Sequence, residues 1–195
     1  MERTDRRKTT DQIRKKENSM DHFQARWFDE LTPIYPDTDG GTGLPSYTVA
    51  GANGSYAGVQ IAVSGLTPGL PLSFEIKGPH RAYKLFQLLP IPVEVNTGAV
   101  QRSEYLKDDY NENVIRRAPF YVYEALEPIF NLALPTVPNA AFVFRTPIEY
   151  CRQTEEKNWT ILLRHNGAEQ ELHLTVEQYP VSIPKAGRDT YQFVN

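Results

Sequence analysis

The sequence predicts an all-β fold, a two-sheet antiparallel β-sandwich of jelly-roll-like character with about nine strands and little helix. Three observations predict it. Short segments alternate apolar and polar residues at period two, as in VQIAV at 59–63 and LSFEI at 72–76, the mark of strands with one face on a core. Fifteen prolines outnumber 12 glycines, which suits short elements joined by shaped turns and argues against long helices. An Asn-Gly pair at 166–167 lies between two alternating runs, the preferred chemistry of a two-residue hairpin turn. There is no βαβ rhythm and no internal repeat; a closed barrel is the second choice.

Residues 1–20 hold seven Lys/Arg against four Asp/Glu, a local +3, and Ile13 is their one aliphatic residue after Met1. They are expected to be a disordered basic tail or a mis-called leader with Met20 as the true start. Residues 21–195 are expected to be a single β-sandwich domain. Residues 22–35, HFQARWFDELTPIY, read as a short helix or an irregular lead-in ended by Pro33 and Pro36, and 37–43, DTDGGTG, as a flexible loop. Strands are expected at 46–50, 55–64, 71–78, 83–89 and 91–95. The second and third would form a hairpin across a Pro-Gly turn, with Val59, Ile61 and Val63 sharing the buried face and Leu72, Phe74 and Ile76 continuing it. A long polar connection runs through 96–117. Strands resume at 119–124, 140–145, 159–165, 169–178 and 190–194, with a helical turn at 126–131.

The hairpin 158–179 sets its own register. With Asn166-Gly167 as a type I′ turn, His165 falls opposite Ala168, Trp159 opposite Leu174, Ile161 opposite Leu172 and Leu163 opposite Gln170. Arg164 meets Glu169, Thr160 meets His173, and Leu162 lies beside Glu171. A one-residue slip would expose the whole apolar row.

Charge and composition narrow the function classes. Formal net charge is −3, and outside the first 20 residues 14 basic residues face 20 acidic ones, net −6. Bulk electrostatic binding of nucleic acid is not expected. The tail lacks a secretory apolar core of roughly 7–15 residues, and no run reaches the length of a membrane span. Cys151 stands alone, which excludes an internal disulfide and cysteine-rich zinc sites. The expectation is a cytoplasmic protein with no cofactor, no nucleic acid and no membrane.

Candidate chemistry is sparse. Adjacent acids occur at Asp29-Glu30, Asp108-Asp109 and Glu155-Glu156, but neighbours on a strand point to opposite faces, whereas glycosidases need two carboxyls across one bond. The loop containing Asp108, Asp109, Asn111 and Glu112 concentrates oxygen donors of the kind calcium takes; Lys107, Arg116 and Arg117 offset the charge, and a solvated loop is the default. A small hydrolase using these acids is a third functional reading. The four histidines show no metal-ligand spacing, and no GxSxG, P-loop or GxGxxG is present. Sequons at Asn53 and Asn158 read as a turn and as the neighbour of a core tryptophan. Aromatic rings that could stack on a sugar are Tyr121 and Tyr123, alternating with Phe120 and Val122, and the loop residues Tyr105 and Tyr110. Packed tyrosines are the commoner outcome, and Trp159, sharing a face with three aliphatics, reads as core.

Three segments, SYAGVQIAVSGLTPG at 55–69, LLPIPVEVNTG at 88–98 and NENVIRRAPFYVYEALEPI at 111–129, together resemble the amino-terminal β-sandwich of bacterial glycoside-hydrolase-like proteins related to the β-N-acetylgalactosaminidases. The likeness spans about 75 residues. It implies a sandwich that precedes a (β/α)₈ barrel in such proteins, the barrel carrying a catalytic Asp-Glu pair and using the substrate's acetamido group as nucleophile. A barrel needs about 200–250 residues of alternating strand and helix, and nothing here matches it. Asp29-Glu30 precedes the sandwich, so no catalytic residue is carried over. The resemblance implies a non-catalytic module that packs against a glycoside-hydrolase-type catalytic domain or assists glycan binding, with a stand-alone carbohydrate-binding protein as the alternative.

Overall fold

A computed structural model describes residues 23–37, 43–95, 115–131, 137–182 and the backbone of 133–135. Ten strands form among them: β1 (Gln24–Asp29), β2 (Ser46–Asn53), β3 (Tyr56–Ser64), β4 (Pro71–Lys77), β5 (Lys84–Val93), β6 (Phe120–Pro128), β7 (Ala133–Pro135), β8 (Ala140–Pro147), β9 (Glu155–His165) and β10 (Ala168–Ser182). They make two five-stranded sheets, here called the first, β1-β3-β8-β5-β6, and the second, β2-β10-β9-β4-β7. No helix occurs among the described residues, and so none is long and apolar enough to cross a membrane. The expected tail at 1–20 and strand at 190–194 lie outside the described residues.

The connectivity alternates between sheets in jelly-roll fashion, with one departure. Taking β2 to β9 alone, the order would be β3-β8-β5-β6 over β2-β9-β4-β7, two interleaved Greek keys. The last strand, β10, turns back from β9 and inserts between β9 and β2. Because β10 is antiparallel to β9, its insertion makes its pairing with β2 parallel. The second sheet is therefore mixed, where a purely antiparallel one was expected.

The β9–β10 hairpin has the register its turn dictates: Ala168 faces His165, Leu174 faces Trp159, Leu172 faces Ile161 and Gln170 faces Leu163. Asn166 and Gly167 take φ of 48° and 79°, the left-handed values that a type I′ turn needs and that Asn and Gly tolerate best. The segment 55–78 departs from the hairpin expected of it. Its strands β3 and β4 lie in opposite sheets, and residues 65–70 form a corner between them. Two glycines at positive φ, Gly65 (72°) and Gly69 (81°), bend the corner. Leu66 is buried beneath it, its amide donating to Pro138 O at 3.0 Å. His165 clamps it from β9: Thr67 N donates to Nε2 at 2.8 Å, so Nδ1 carries the proton and donates to Pro71 O at 3.1 Å.

That crossing closes the core. Val59, Ile61 and Val63 of β3 meet Leu72 and Phe74 of β4, and Trp159, Ile161 and Leu163 of β9 complete the cover. Aromatic rings fill the middle: Trp159 lies edge-on to Phe144 at 5.2 Å and to Tyr83 at 5.8 Å, and Phe74 to Phe142 at 4.9 Å.

Three other elements differ from expectation. Residues 24–29 form a strand, because Ala25 and Trp27 point inward at period two while Gln24 and Arg26 point out. Two strands expected at 83–95 are one, β5, whose pairing with β6 slips at Leu89/Pro90. The helical turn expected at 126–131 is the end of β6, since Leu126 and Pro128 pair with Leu88 and Phe86.

Candidate functional site

The outer faces of the two sheets differ in kind. The second sheet carries charges: Arg164 bridges Glu75 at 2.9 Å and Glu169 at 2.6 Å, and Lys77 reaches Glu75 at 3.0 Å. The first sheet has an apolar outer face. Registers place Ala62, Ala141 and Leu88 in one row and Gln60, Val143 and Phe86 in the next, and a second apolar cluster of Ile34, Ala62, Leu88, Tyr123, Ala141 and Val143 forms there. β3 is thus buried on both sides, where its sequence pattern implied one.

A strap, residues 30–37, runs from the end of β1 across this face. Gln60, itself 4% exposed, holds it: its Nε2 lies 2.9 Å from Asp29 O, 3.0 Å from Glu30 O and 2.7 Å from Thr32 O. Ile34 O accepts from Tyr123 N at 2.9 Å, and Pro36 O from Asn139 Nδ2 at 2.7 Å. Glu30 pairs with Arg145, whose Nε donates to Oε1 at 2.7 Å. Gly58 leaves the room for this pair, since a Cβ there would run into the Glu30 carboxylate.

Two grooves flank the strap. The first, about 390 Å³, lies between its start and β6, with Glu30, Thr32, Tyr123, Glu124 and Arg145 among its walls and exposed Leu31 and Leu126 at its rim. The second, about 460 Å³, lies beyond its end, walled by Pro36, Asp37, Pro92, Val93, Glu94, Pro119, Phe120 and Tyr121. Both volumes fall within the roughly 300–1,000 Å³ of small-molecule sites.

The strap separates the two strand tyrosines. Tyr123 and Tyr121 stand two apart on β6, opposite Pro90 and Pro92. The strap covers Tyr123, leaving it 7% exposed with its hydroxyl donating to Asn139 O at 2.7 Å, and burial pushes that phenol up to about 12. The expected platform of paired exposed tyrosines is corrected accordingly: Tyr123 is a packed residue. Tyr121, past the strap, remains 56% exposed in the second groove.

Arg116 braces two of the groove's wall residues, Phe120 and Asp37. Its guanidinium lies over the Tyr35 ring at 4.4 Å and the Phe120 ring at 5.2 Å, two rings set edge to face, and it donates to Asp37. That hydrogen bond, more than its charge, holds the Asp37 carboxyl below its ordinary 3.8. A carboxyl lowered in the folded state contributes stability above its unfolded pKa and loses it as pH falls through the folded one. The melting temperature of Asp37→Asn is therefore expected to lie below wild type at pH 7 and to converge with it as the pH is lowered through the carboxylate range. A gap independent of pH would show that the ion pair contributes nothing.

The remaining sequence candidates are placed as follows. Tyr105, Tyr110, Asp108, Asp109, Asn111 and Glu112 lie outside the described residues. Asp29 accepts from Leu31 N at 2.9 Å and Glu30 is paired to Arg145; Glu155 reaches Lys157 at 2.8 Å along β9. These adjacent acids do not converge on a shared space. No group of three or more His, Cys, Asp or Glu among the described residues is placed to hold a metal. Asn53 is buried, its side chain paired with the Cys151 backbone at 2.9 and 3.0 Å. The site residues that sequence reasoning missed are Asp37, Arg116 and Tyr35. Asp37 and Arg116 are 79 positions apart, and no local pattern links them.

No protein-family model matches the chain, and no curated protein is similar to it in sequence. A solved structure shares its fold. A family 123 glycoside hydrolase from Clostridium perfringens, described in terms of glycolipid glycan hydrolysis, superposes with a TM-score of 0.60 at 10% identity, over 84% of this chain and 28% of that one. The VesB protease of Vibrio cholerae (TM-score 0.31, 7% identity, 87% and 34% of the two chains) and AvmM, which catalyses macrocyclization in alchivemycin A biosynthesis (0.35, 10%, 85% and 92%), are too far in shape to inform the site. The chain spans little more than a quarter of the glycoside hydrolase, and at such identity the likeness shows the fold alone.

Proposed function

We propose that the chain is a non-catalytic β-sandwich module of the glycoside-hydrolase-associated kind, which packs against a catalytic domain or assists in holding a glycan. The observation that carries this reading is the asymmetry of the two outer faces. The second sheet presents a solvated lattice of ion pairs. The first presents an apolar layer buried beneath the strap, with Leu31 90% exposed and Leu126 43% exposed beside the first groove. Contiguous exposed apolar surface beside grooves is the usual mark of an interaction face.

Two further observations support it. The fold matches part of a larger glycoside hydrolase, and Glu30 at the first groove and Asp37 at the second are each paired with an arginine. The test is hydrolysis of an aryl N-acetylgalactosaminide by the purified chain. No turnover above buffer is expected; turnover that follows the purified protein overturns the non-catalytic reading. The docking half further expects a (β/α)₈ domain encoded in the adjoining sequence or reading frame, and its absence there would remove that half. A stand-alone carbohydrate-binding protein is the second reading, favoured by the open ring of Tyr121.

A further inference from the structure

We propose that the groove beside Tyr121 is a saccharide subsite for a neutral pyranose, with the tyrosine ring under the sugar's apolar face and the Asp37 and Glu94 carboxylates accepting from its hydroxyls. This deepens the glycan-holding half of the function proposed above and rests on it.

A sugar offers C–H groups on one face and hydroxyls around its rim, so it is recognised by a flat aromatic surface flanked by polar acceptors. Tyr121 supplies that surface from a strand, opposite Pro92, and it is 56% exposed. Rigid support matters because an aromatic anchor has few torsions to freeze on binding. Prolines 36, 92 and 119 wall the groove, and their fixed φ limits how far the walls can collapse or open.

One of the acceptors is preorganised. Arg116, held over Tyr35 and Phe120, donates to Asp37 and so fixes its carboxylate at the groove edge. A carboxylate has about four lone-pair sites, and this pairing leaves acceptor capacity for a sugar hydroxyl. Glu94 is exposed on the same groove. Two carboxylates, one already paired with a cation, select against an acidic sugar. The first groove lacks this combination, since its tyrosine is covered by the strap and only 7% exposed.

The test is an NMR titration of the ¹⁵N-labelled chain with lactose, cellobiose, N-acetylgalactosamine and glucuronate. At least one neutral sugar is expected to shift amides at Tyr121 and its groove neighbours, while glucuronate leaves them unmoved. Tyr121→Ala should weaken the apparent Kd by about tenfold or more, and Tyr121→Phe by less than about threefold, because stacking uses the ring and not the hydroxyl. Both variants should melt with wild type, as the ring is largely exposed. The proposal is overturned if no neutral sugar shifts the groove, if Tyr121→Ala binds as well as wild type, or if glucuronate binds as tightly as the neutral sugars. The two readings fail separately. A silent titration removes the subsite and leaves the docking face standing, whereas hydrolysis by the purified chain removes the non-catalytic module and leaves the subsite intact.

Discussion

Replacing Trp159 with alanine is expected to cost about 3–5 kcal/mol of unfolding free energy, enough to leave a protein of ordinary stability marginal. The indole is 1% exposed and stands at the meeting of both sheets. Phe144 lies edge-on at 5.2 Å, Tyr83 at 5.8 Å and His80 at 5.0 Å. The backbone is shaped around it as well, because a Cβ on Gly78 would fall into the six-membered ring. Alanine would leave a cavity lined by rings on a rigid sheet framework, which relaxes poorly. Trp159→Phe keeps an aromatic edge toward Phe144 and should lose roughly half as much. Urea midpoints of the two variants check the order. Equal losses would show that a phenyl ring recovers nothing at this site and that the contribution rests wholly on what only the indole reaches.

The same tryptophan shows how far the sequence could be read. Its place in the core followed from one turn. Asn166-Gly167 forces the hairpin register, and the register puts Trp159, Ile161, Leu172 and Leu174 in one row, as the structure has them. That inference needs only local chemistry. The corner at 65–70 did not yield to the same reasoning, because a Pro-Gly turn between alternating strands looks alike whether the chain folds back within a sheet or crosses to the next. What decides is a long-range partner, His165, whose ring fixes the corner from 98 positions away. The strap failed for a related reason. Residues 30–37 have no period of their own; they are ordered by Gln60, Tyr123 and Arg145 on other strands and by Asn139 just before β8. The second groove was half legible: Tyr121 could be picked out by alternation, but nothing in the sequence says that the strap stops short of it or that Arg116 reaches Asp37.

Gln60→Leu is expected to destabilise the protein by about 3 kcal/mol and to do so from the strap outward. The native amide faces three carbonyls, those of Asp29, Glu30 and Thr32, with two protons, so at least one is shared. Leucine fills similar space but leaves the Glu30 and Thr32 oxygens against hydrocarbon, while Asp29 O keeps the Thr32 amide at 3.1 Å, and an orphaned buried acceptor costs roughly 1–3 kcal/mol. The lower end applies to each here, because the strap can lift and let water in. Lifting has its own cost, since Ile34 would leave the cluster formed with Tyr123 and Val143. Gln60→Glu should be worse at neutral pH, as a carboxylate there would face three carbonyl dipoles with no proton to offer. Buried among acceptors, its own carboxyl would titrate upward, so its deficit should shrink as the pH falls, though one proton cannot serve three oxygens. Hydrogen exchange locates the effect. If the strap is the yielding element, the Tyr123 amide that donates to Ile34 loses protection in Gln60→Leu while the β9–β10 ladder keeps it. If every amide loses protection equally, the strap and the sandwich unfold as one unit, and the cover over the first sheet is as fixed as the core beneath it.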